Sequence, residues 1–451
     1  MRQVLMIAFA FPPSSRVGSL RAGRFARRLP EFGWQPRLCV GEETGIDEPV
    51  PEWVAQLHPT RIPESNTQRG NQPKKRGAEG DSGGGASSEG GEESSAAPAS
   101  RPWPLESLVG LARNAWQFVT ETPDTSVGWA RKARVRARAL VAQNPPDAIY
   151  STGPPHSTHL VALDLKRRFR LPWLADLRDP VGRRPWGPRP RNPWGQRVCL
   201  WFERKIVTTA DVVVLNSPGM RADFAKAHPD LPPERFVYIP NGCDEELQEL
   251  VDGLLRQVPL RRDDAADAPI TLLHPGSLYG GRDPRPLMEA VGLLRQKGWN
   301  VRLQQIGKVA LSFNLPQFIA ERGLQQAVVC EPAVPRLEIY QKMAQADVLL
   351  LIQPGTSLQI PAKVYEMLPF GKPILTIAPP GSTASVVEQY GLGLVVDNTT
   401  PAEIAVTLEK LLQSRHAVAA GPGWERAKHD FDGTHLTGEL ARLLDRICTR
   451  S

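Results

Sequence analysis

The stretch Gln3–Val40, "QVLMIAFAFPPSSRVGSLRAGRFARRLPEFGWQPRLCV", holds one complete strand–helix–strand unit. "QVLMIAFAF" is a continuous apolar run of strand length, "RAGRFARRLPEFGW" spaces apolar residues between arginines as a helix does, and "QPRLCV" is strand-like again. An apolar run without alternation belongs to a strand covered on both faces, the condition of a parallel sheet flanked by helices. The pattern continues through "DAIYST", "HSTHLVALDLKRRF", "PWLADL", "WGQRVCLWFERKIVTTA", "DVVVLNS", "GMRADFAKAH" and "FVYIPNG". It restarts at "ITLLHPG" and runs through "NVRLQQIG", "AVVCEP", "DVLLLIQ" and "KPILTIA" to "LGLVVD", with helical patterns between them. The expected fold is therefore α/β, with two doubly wound parallel sheets facing a cleft into which strand-to-helix loops project.

The chain's 451 residues exceed one ordinary core, and its 41% hydrophobic and 23% charged content is that of a globular protein. We expect a first domain over 1–245, a connection over 246–268, a second domain over 269–430 and a last helix, 431–451, returning to the first domain. The segment from about 64 to 102 has almost no large apolar residue and reads as a disordered insertion. The five cysteines are scattered, with no C-x-x-C pair or histidine at zinc-ligand spacing, which favours reduced thiols in a cytoplasmic protein and no metal. No run approaches a membrane span. The net charge of +7 is uneven, with arginines crowding the first half. Such a surface suits phosphate, on a nucleotide or on an anionic inner-membrane face, or is simply a set of solvated helix faces. The basic stretches lack interleaved aromatics and a recognition motif, so nucleic acid is not the expected partner.

Three strand-end loops hold more glycine, proline and polar residues than a connection needs, and a helix start at the cleft joins them. In "FPPSSRVGSLRAGRF", Gly18 and Ser19 precede a helix whose first turn carries Arg21, an arrangement that suits either an anion or a tight turn. In "YSTGPPHSTH", His156 heads a helix directly after a strand. In "LHPGSLYGGRDPRPLMEA", Gly276, Ser277, Gly280 and Gly281 lead to Arg282, and flexible backbone beside a guanidinium suits a diphosphate. Neither a P-loop nor a dinucleotide fingerprint is present there. In "PAKVYEMLPFGKPIL", Lys363 and Glu366 share a helix face at the cleft, either as a surface ion pair or as a phosphate and a ribose ligand.

Taken in order, "FPPSSRVGSLRAGRFARRLPEFGW", "PDAIYSTGPPHSTHLVA", "LPWLADLRDP", "ADVVVLNSPGM", "IPNGCDEE", "HPGSLYGGRDPRPLMEA", "ADVLLLIQ" and "PAKVYEMLPFGKPIL" resemble the family 4 glycosyltransferases of GT-B fold, two Rossmann-like domains about a cleft. The resemblance implies retaining, metal-independent sugar transfer from a nucleotide-sugar donor on the second domain to a polysaccharide or lipid-linked glycan acceptor on the first. No cofactor is expected beyond the nucleotide sugar as co-substrate, and the cytoplasmic protein is expected at the inner membrane face. It implies His156, Arg282 and Lys363 as catalytic residues. Gly18, Gly276, Ser277, Gly281, Arg282, Lys363 and Glu366 would bind the donor. Arg21, Asp176, Arg178 and Asp179 would lie on the acceptor side, with a buried Asp–Arg network as the alternative for "ADLRDP". Two departures stand out: Leu358 replaces the first glutamate of the family's E-x7-E element, and the donor-loop cation pair reads Ser277 and Arg282. The second cation is then missing or supplied elsewhere, by Lys363 or Arg21. A nucleotide-sugar 2-epimerase and a non-catalytic binding module on the same scaffold are the competing readings.

Overall fold

The computed structural model describes residues 1–14, 17–42, 49–64, 122–183, 193–258, 268–397, 400–419 and 421–449. The residues 65–102 of the expected insertion lie outside them. The first sheet has seven strands: β1 (Arg2–Ala8), β2 (Trp34–Glu42), β3 (Thr60–Pro63), β4 (Ala148–Gly153), β5 (Trp173–Leu177), β6 (Val212–Leu215) and β7 (Phe236–Tyr238). Their order is β3-β2-β1-β4-β5-β6-β7, and every pairing is parallel. The second domain opens with β8 (Ile270–Pro275) and β9 (Leu278–Tyr279), followed by β10 (Val301–Ile306), β11 (Val309–Ala310), β12 (Val328–Glu331), β13 (Val348–Ile352), β14 (Ile374–Ile377) and β15 (Gly393–Val396). Six of these form a parallel sheet of order β12-β10-β8-β13-β14-β15, while β9 and β11 pair separately.

Alternate residues of β1 point to opposite faces of the first sheet, as the strand period requires. Leu5 and Ile7 join one core layer under α3 (Val127–Gln143), α4 (Thr158–Phe169), α5 (Pro193–Thr209) and α6 (Pro218–Ala227), once α1 (Val17–Arg28) and the short α2 (Glu52–Gln56) have passed. Val4, Met6 and Ala8 join the other layer, packed against α1. Each fully buried Val, Leu or Ile of these layers contributes about 1.5–3 kcal/mol relative to an exposed one. The first helix starts at Val17, four residues before the run that predicts it, so Gly18 lies inside its first turn. It stops at Arg28 because Pro30 has no N–H to continue it; a 3-10 turn, Leu29–Phe32, and Gly33 at φ +80° lead into β2.

The segment 246–268, expected as a connection, contains most of α7 (Glu245–Gln257), whose Val251 and Leu254 belong to the second domain's core. Residues 259–267 lie outside the described residues. The remaining helices of that domain are α8 (Arg285–Gln296), α9 (Leu315–Glu321), α10 (Arg336–Gln345), α11 (Ala362–Met367), α12 (Ser382–Gln389), α13 (Pro401–Ala419) and α14 (Gly423–Asp430). The last helix, α15 (Gly433–Thr449), leaves the second domain and buries Leu436, Leu440 and Leu444 in the same cluster as Val4 and Met6.

Candidate active site

Each sheet reverses its winding once, between β1 and β4 and between β8 and β13. In doubly wound sheets such reversals open a crevice beyond the carboxyl ends of the strands. The loop after β1 leads to Gly18, and the loop after β4 carries His156. Gly276, Ser277, Gly281 and Arg282 lie beyond β8, and Lys363 and Glu366 lie on α11 beyond β13.

At the second crevice the structure brings Gly276, Arg282 and Lys363 together. The Lys363 Nζ donates a hydrogen bond to the carbonyl of Pro275, 2.5 Å away. A Cβ built on Gly276 would lie 1.8 Å from that nitrogen, so the lysine reaches the loop only because residue 276 has no side chain. Burial and the nearby Arg282 guanidinium lower the Lys363 pKa to about 8, against a small opposing pull from Glu366. Arg282 stacks on the Tyr279 ring at 4.5 Å and donates to Gln353 Oε1 at 3.2 Å. Among the described residues, neither cation has a carboxylate at ion-pair distance.

Buried polar side chains fix the loop beneath these cations. His274 shares a hydrogen bond with Gln305 Oε1 at 2.5 Å, and Gln305 Nε2 donates to the Gly276 carbonyl at 2.5 Å. An amide oxygen only accepts, so His274 carries its hydrogen on Nδ1. Burial and then Lys363 lower its pKa to about 3, which leaves the ring neutral. Neither residue was singled out from the sequence, although a histidine and paired glutamines ending apolar strands were the available signal. Ser277 is half-buried and Gly281 exposed. Glu366, also half-buried, accepts a hydrogen bond from Arg336 Nη2 at 3.2 Å rather than pairing directly with Lys363.

The first crevice is different, and several expectations are corrected there. Arg21 and Asp176 are 2% and 0% exposed and form a bidentate pair at 2.9 and 3.0 Å, so neither is an acceptor-side contact. Arg21 also donates to the carbonyls of Ile239 and Pro240, and Asp176 accepts from Tyr150 and Thr152. The Asp176 carboxyl is held below its usual range: burial acts against ionisation, and Arg21 outweighs it. Asp176 is buried as the network alternative has it, but its partner is Arg21 and not an arginine of "ADLRDP". Of Lys363 and Arg21, Lys363 is the one that reaches the loop after β8.

Gly18 makes room for an arginine of the first domain itself. A Cβ there would meet the Arg178 guanidinium at 2.4 Å. Arg178 donates to the Gly153 and Pro154 carbonyls at 3.1 and 2.6 Å, tying the loop after β5 to the loop after β4. His156 has no exposed surface, which corrects the expectation that a ligand reaches it directly; its ring stacks on that of His159 at 6.0 Å. Burial lowers the His159 pKa to about 3, and its Nδ1 shares a 2.9 Å hydrogen bond with Ser151.

Leu358, in the position of the missing glutamate, packs against the first domain's core, and its carbonyl accepts from Ser217 Oγ. Gln359 donates to Asp179 at 2.8 Å, and the Gly219 N–H to Ser382 Oγ at 3.1 Å. The loop after β13 and the start of α12 thus clasp the first domain across the cleft. Among the described residues no three His, Cys, Asp or Glu side chains converge to hold a metal. A cavity of about 550 Å³ lined by Cys243, Asp244, Asp252 and Glu425 shares no residue with either crevice.

Residues 18–242 match the family model described as a glycosyl transferase 4-like domain, and residues 239–421 match glycosyl transferases group 1. The chain belongs to the family 4 glycosyltransferases. Among solved structures, this glycosyltransferase is similar to a sucrose-phosphate synthase from Thermosynechococcus elongatus at 15% identity and TM-score 0.65, with all of both chains covered. It is also similar to Anabaena HepE, solved with UDP, at 16% identity and TM-score 0.60 over 99% of this chain and 100% of that one. These likenesses show the GT-B fold. A curated relative, alpha-maltose-1-phosphate synthase of Mycolicibacterium smegmatis, is 39% identical over 62 residues, 12% of this chain and 16% of that protein. The glycosyltransferase thus spans about a sixth of the length of that relative.

Proposed function

We propose that this glycosyltransferase moves a sugar, with retention and without a metal at the reaction centre, from a nucleotide-sugar donor to a polysaccharide or lipid-linked glycan acceptor. The observation that carries this reading is the meeting of Lys363 and Arg282 over the side-chain-free Gly276 at the crevice of the second sheet. As the bond from the anomeric carbon to the diphosphate breaks and the bond to the acceptor hydroxyl forms, negative charge grows on the diphosphate. Two preorganised cations without carboxylate partners stabilise that charge. Glu366, one helical turn on, is assigned to the nucleotide ribose, with Ser277 and Gly281 offering backbone to the phosphates. His156 is assigned to the reacting sugar, which requires the loop after β4 to uncover it when ligands enter. Gly18 is assigned to the approach of α1 toward the diphosphate, and Arg178 and Asp179 to the acceptor side of the cleft. UDP, held by the Anabaena neighbour, supports a nucleotide diphosphate as the first probe.

The test is a melting curve of the purified protein with UDP, other nucleoside diphosphates and their sugars, with and without EDTA, followed by product analysis. Saturation to about 100 times Kd stabilises the fold by roughly 2.7 kcal/mol. Stabilisation by one nucleotide that survives EDTA and disappears in Lys363→Met is the expected result. Leu358, turned into an interdomain contact, favours a non-catalytic binding module as the second reading. Binding with neither transfer nor hydrolysis of the sugar would select it, and release of an epimerised sugar would select the epimerase.

A further inference from the structure

The two helical layers of the first domain treat their cations differently. Around α1 and α15, arginines meet carboxylates: Arg2 pairs with Asp445, Arg24 with Asp244, Arg27 with Glu246 and Arg28 with Glu245. The opposite layer, α3, α4 and α5, carries eleven Lys and Arg residues against two acids, Asp164 and Glu203. Those two are already engaged by Arg138 and Arg183, and Lys166 and Arg204 pair with Asp211 and Asp230 outside the three helices. Among the described residues, Lys132, Arg134, Arg136, Arg167 and Arg168 stand exposed on this layer with no carboxylate at ion-pair distance.

A second observation distinguishes this layer from an ordinary solvated basic face. Helix α5 turns Trp194 and Trp201 outward, 64% and 56% exposed and two turns apart, with the exposed Leu200 beside them. The same face carries Arg197, whose guanidinium lies 5.1 Å from the Trp194 ring, and Lys205, whose ammonium lies 5.7 Å from the Trp201 ring. Exposed indoles flanked by long cationic side chains match the boundary between headgroups and acyl chains, where the ring is half-immersed and the cation meets an anionic headgroup. The neighbouring cations of α3 and α4 extend the positive field over the same layer.

We propose that the outer face of α3, α4 and α5 docks on an anionic lipid bilayer, with Trp194 and Trp201 inserted at headgroup depth. This goes beyond the transfer reaction and needs neither donor nor acceptor, so either reading can fail alone. The experiment is flotation of the full chain with phosphatidylcholine vesicles, alone or doped with phosphatidylglycerol, together with tryptophan quenching by bromine-labelled lipids. The expected result is binding to the doped vesicles only, weakened by salt, with lipid quenching of the emission. The triple variant Lys132→Glu, Arg134→Glu, Arg136→Glu lowers affinity by roughly fivefold or more for each cation removed. The double variant Trp194→Ser, Trp201→Ser removes most of the quenching and weakens binding at high salt. An unchanged melting temperature and circular dichroism spectrum show that both variants are folded. No affinity for doped vesicles, affinity untouched by both variants, or preference for single-stranded nucleic acid without lipid quenching would each overturn the proposal.

Discussion

The two sheets reverse their winding at equivalent places, yet the charges there are arranged in opposite ways. Beyond β1 and β5, Arg21 is enclosed by Asp176, Tyr150 and backbone carbonyls, and its charge is answered from within. Beyond β8 and β13, Lys363 and Arg282 are brought together with hydrogen bonds only to neutral oxygens. The first arrangement holds loops in place; the second leaves a positive potential at the crevice, the feature on which the proposed donor binding rests. Identical topology therefore does not imply an identical task, and the counter-charge is what separates them.

The sharpest way to break this comparison is Asp176→Ala. Removing one partner strands a buried guanidinium and is expected to cost about 3–5 kcal/mol of stability in a denaturant titration. The fraction still folded keeps its nucleotide affinity. A stable variant that no longer binds nucleotide would move Asp176 from scaffold to site.

Lys363→Met is expected to do the reverse. Loss of a charge-assisted contact weakens nucleoside diphosphate binding by about 1.5–3 kcal/mol in calorimetry, while stability holds or rises because a buried cation is gone. Gly276→Ala, whose new methyl overlaps the ammonium, reproduces the loss of affinity with the lysine still present.

pH sharpens the same contrast. With its pKa at about 8 instead of 10.5, folded Lys363 loses its proton before the unfolded chain does. Its burial cost is fully present below pH 8 and fades as pH rises toward 10.5, so its contribution to stability improves across that window. Nucleotide affinity moves the other way, falling above pH 8 by up to about tenfold per pH unit as binding must take up a proton. Both trends vanish in Lys363→Met when melting and binding are followed over this range. The smallest effect is expected at the clasp, where Gln359→Ala removes one hydrogen bond worth about 1 kcal/mol and shifts small-angle scattering toward a more open molecule.

The alternation of strands and helices was legible because it rests on local apolar runs, and the sheets follow from "QVLMIAFAF" and "DVLLLIQ" with little else. Gly276 and Arg282 were legible because loop composition points to a loop's use. The Arg21–Asp176 pair was not, since its members lie 155 residues apart and only topology makes them neighbours. Leu358 looked like a missing ligand because the residue it packs against belongs to the other domain. Gly18 stood out in the sequence, but its neighbour, the Arg178 guanidinium, arrives from the loop after β5.

The return of α15 also has a consequence for how the protein is made. Leu436, Leu440 and Leu444 complete the core that includes Val4, so of the two domains the one made earlier is finished later. Until α15 emerges, the nascent first domain exposes the apolar face that this helix will cover, and a chaperone has reason to hold it. A chain cut just before Gly433 would therefore be expected to lose its amino-terminal half to aggregation first, leaving the second sheet the better formed.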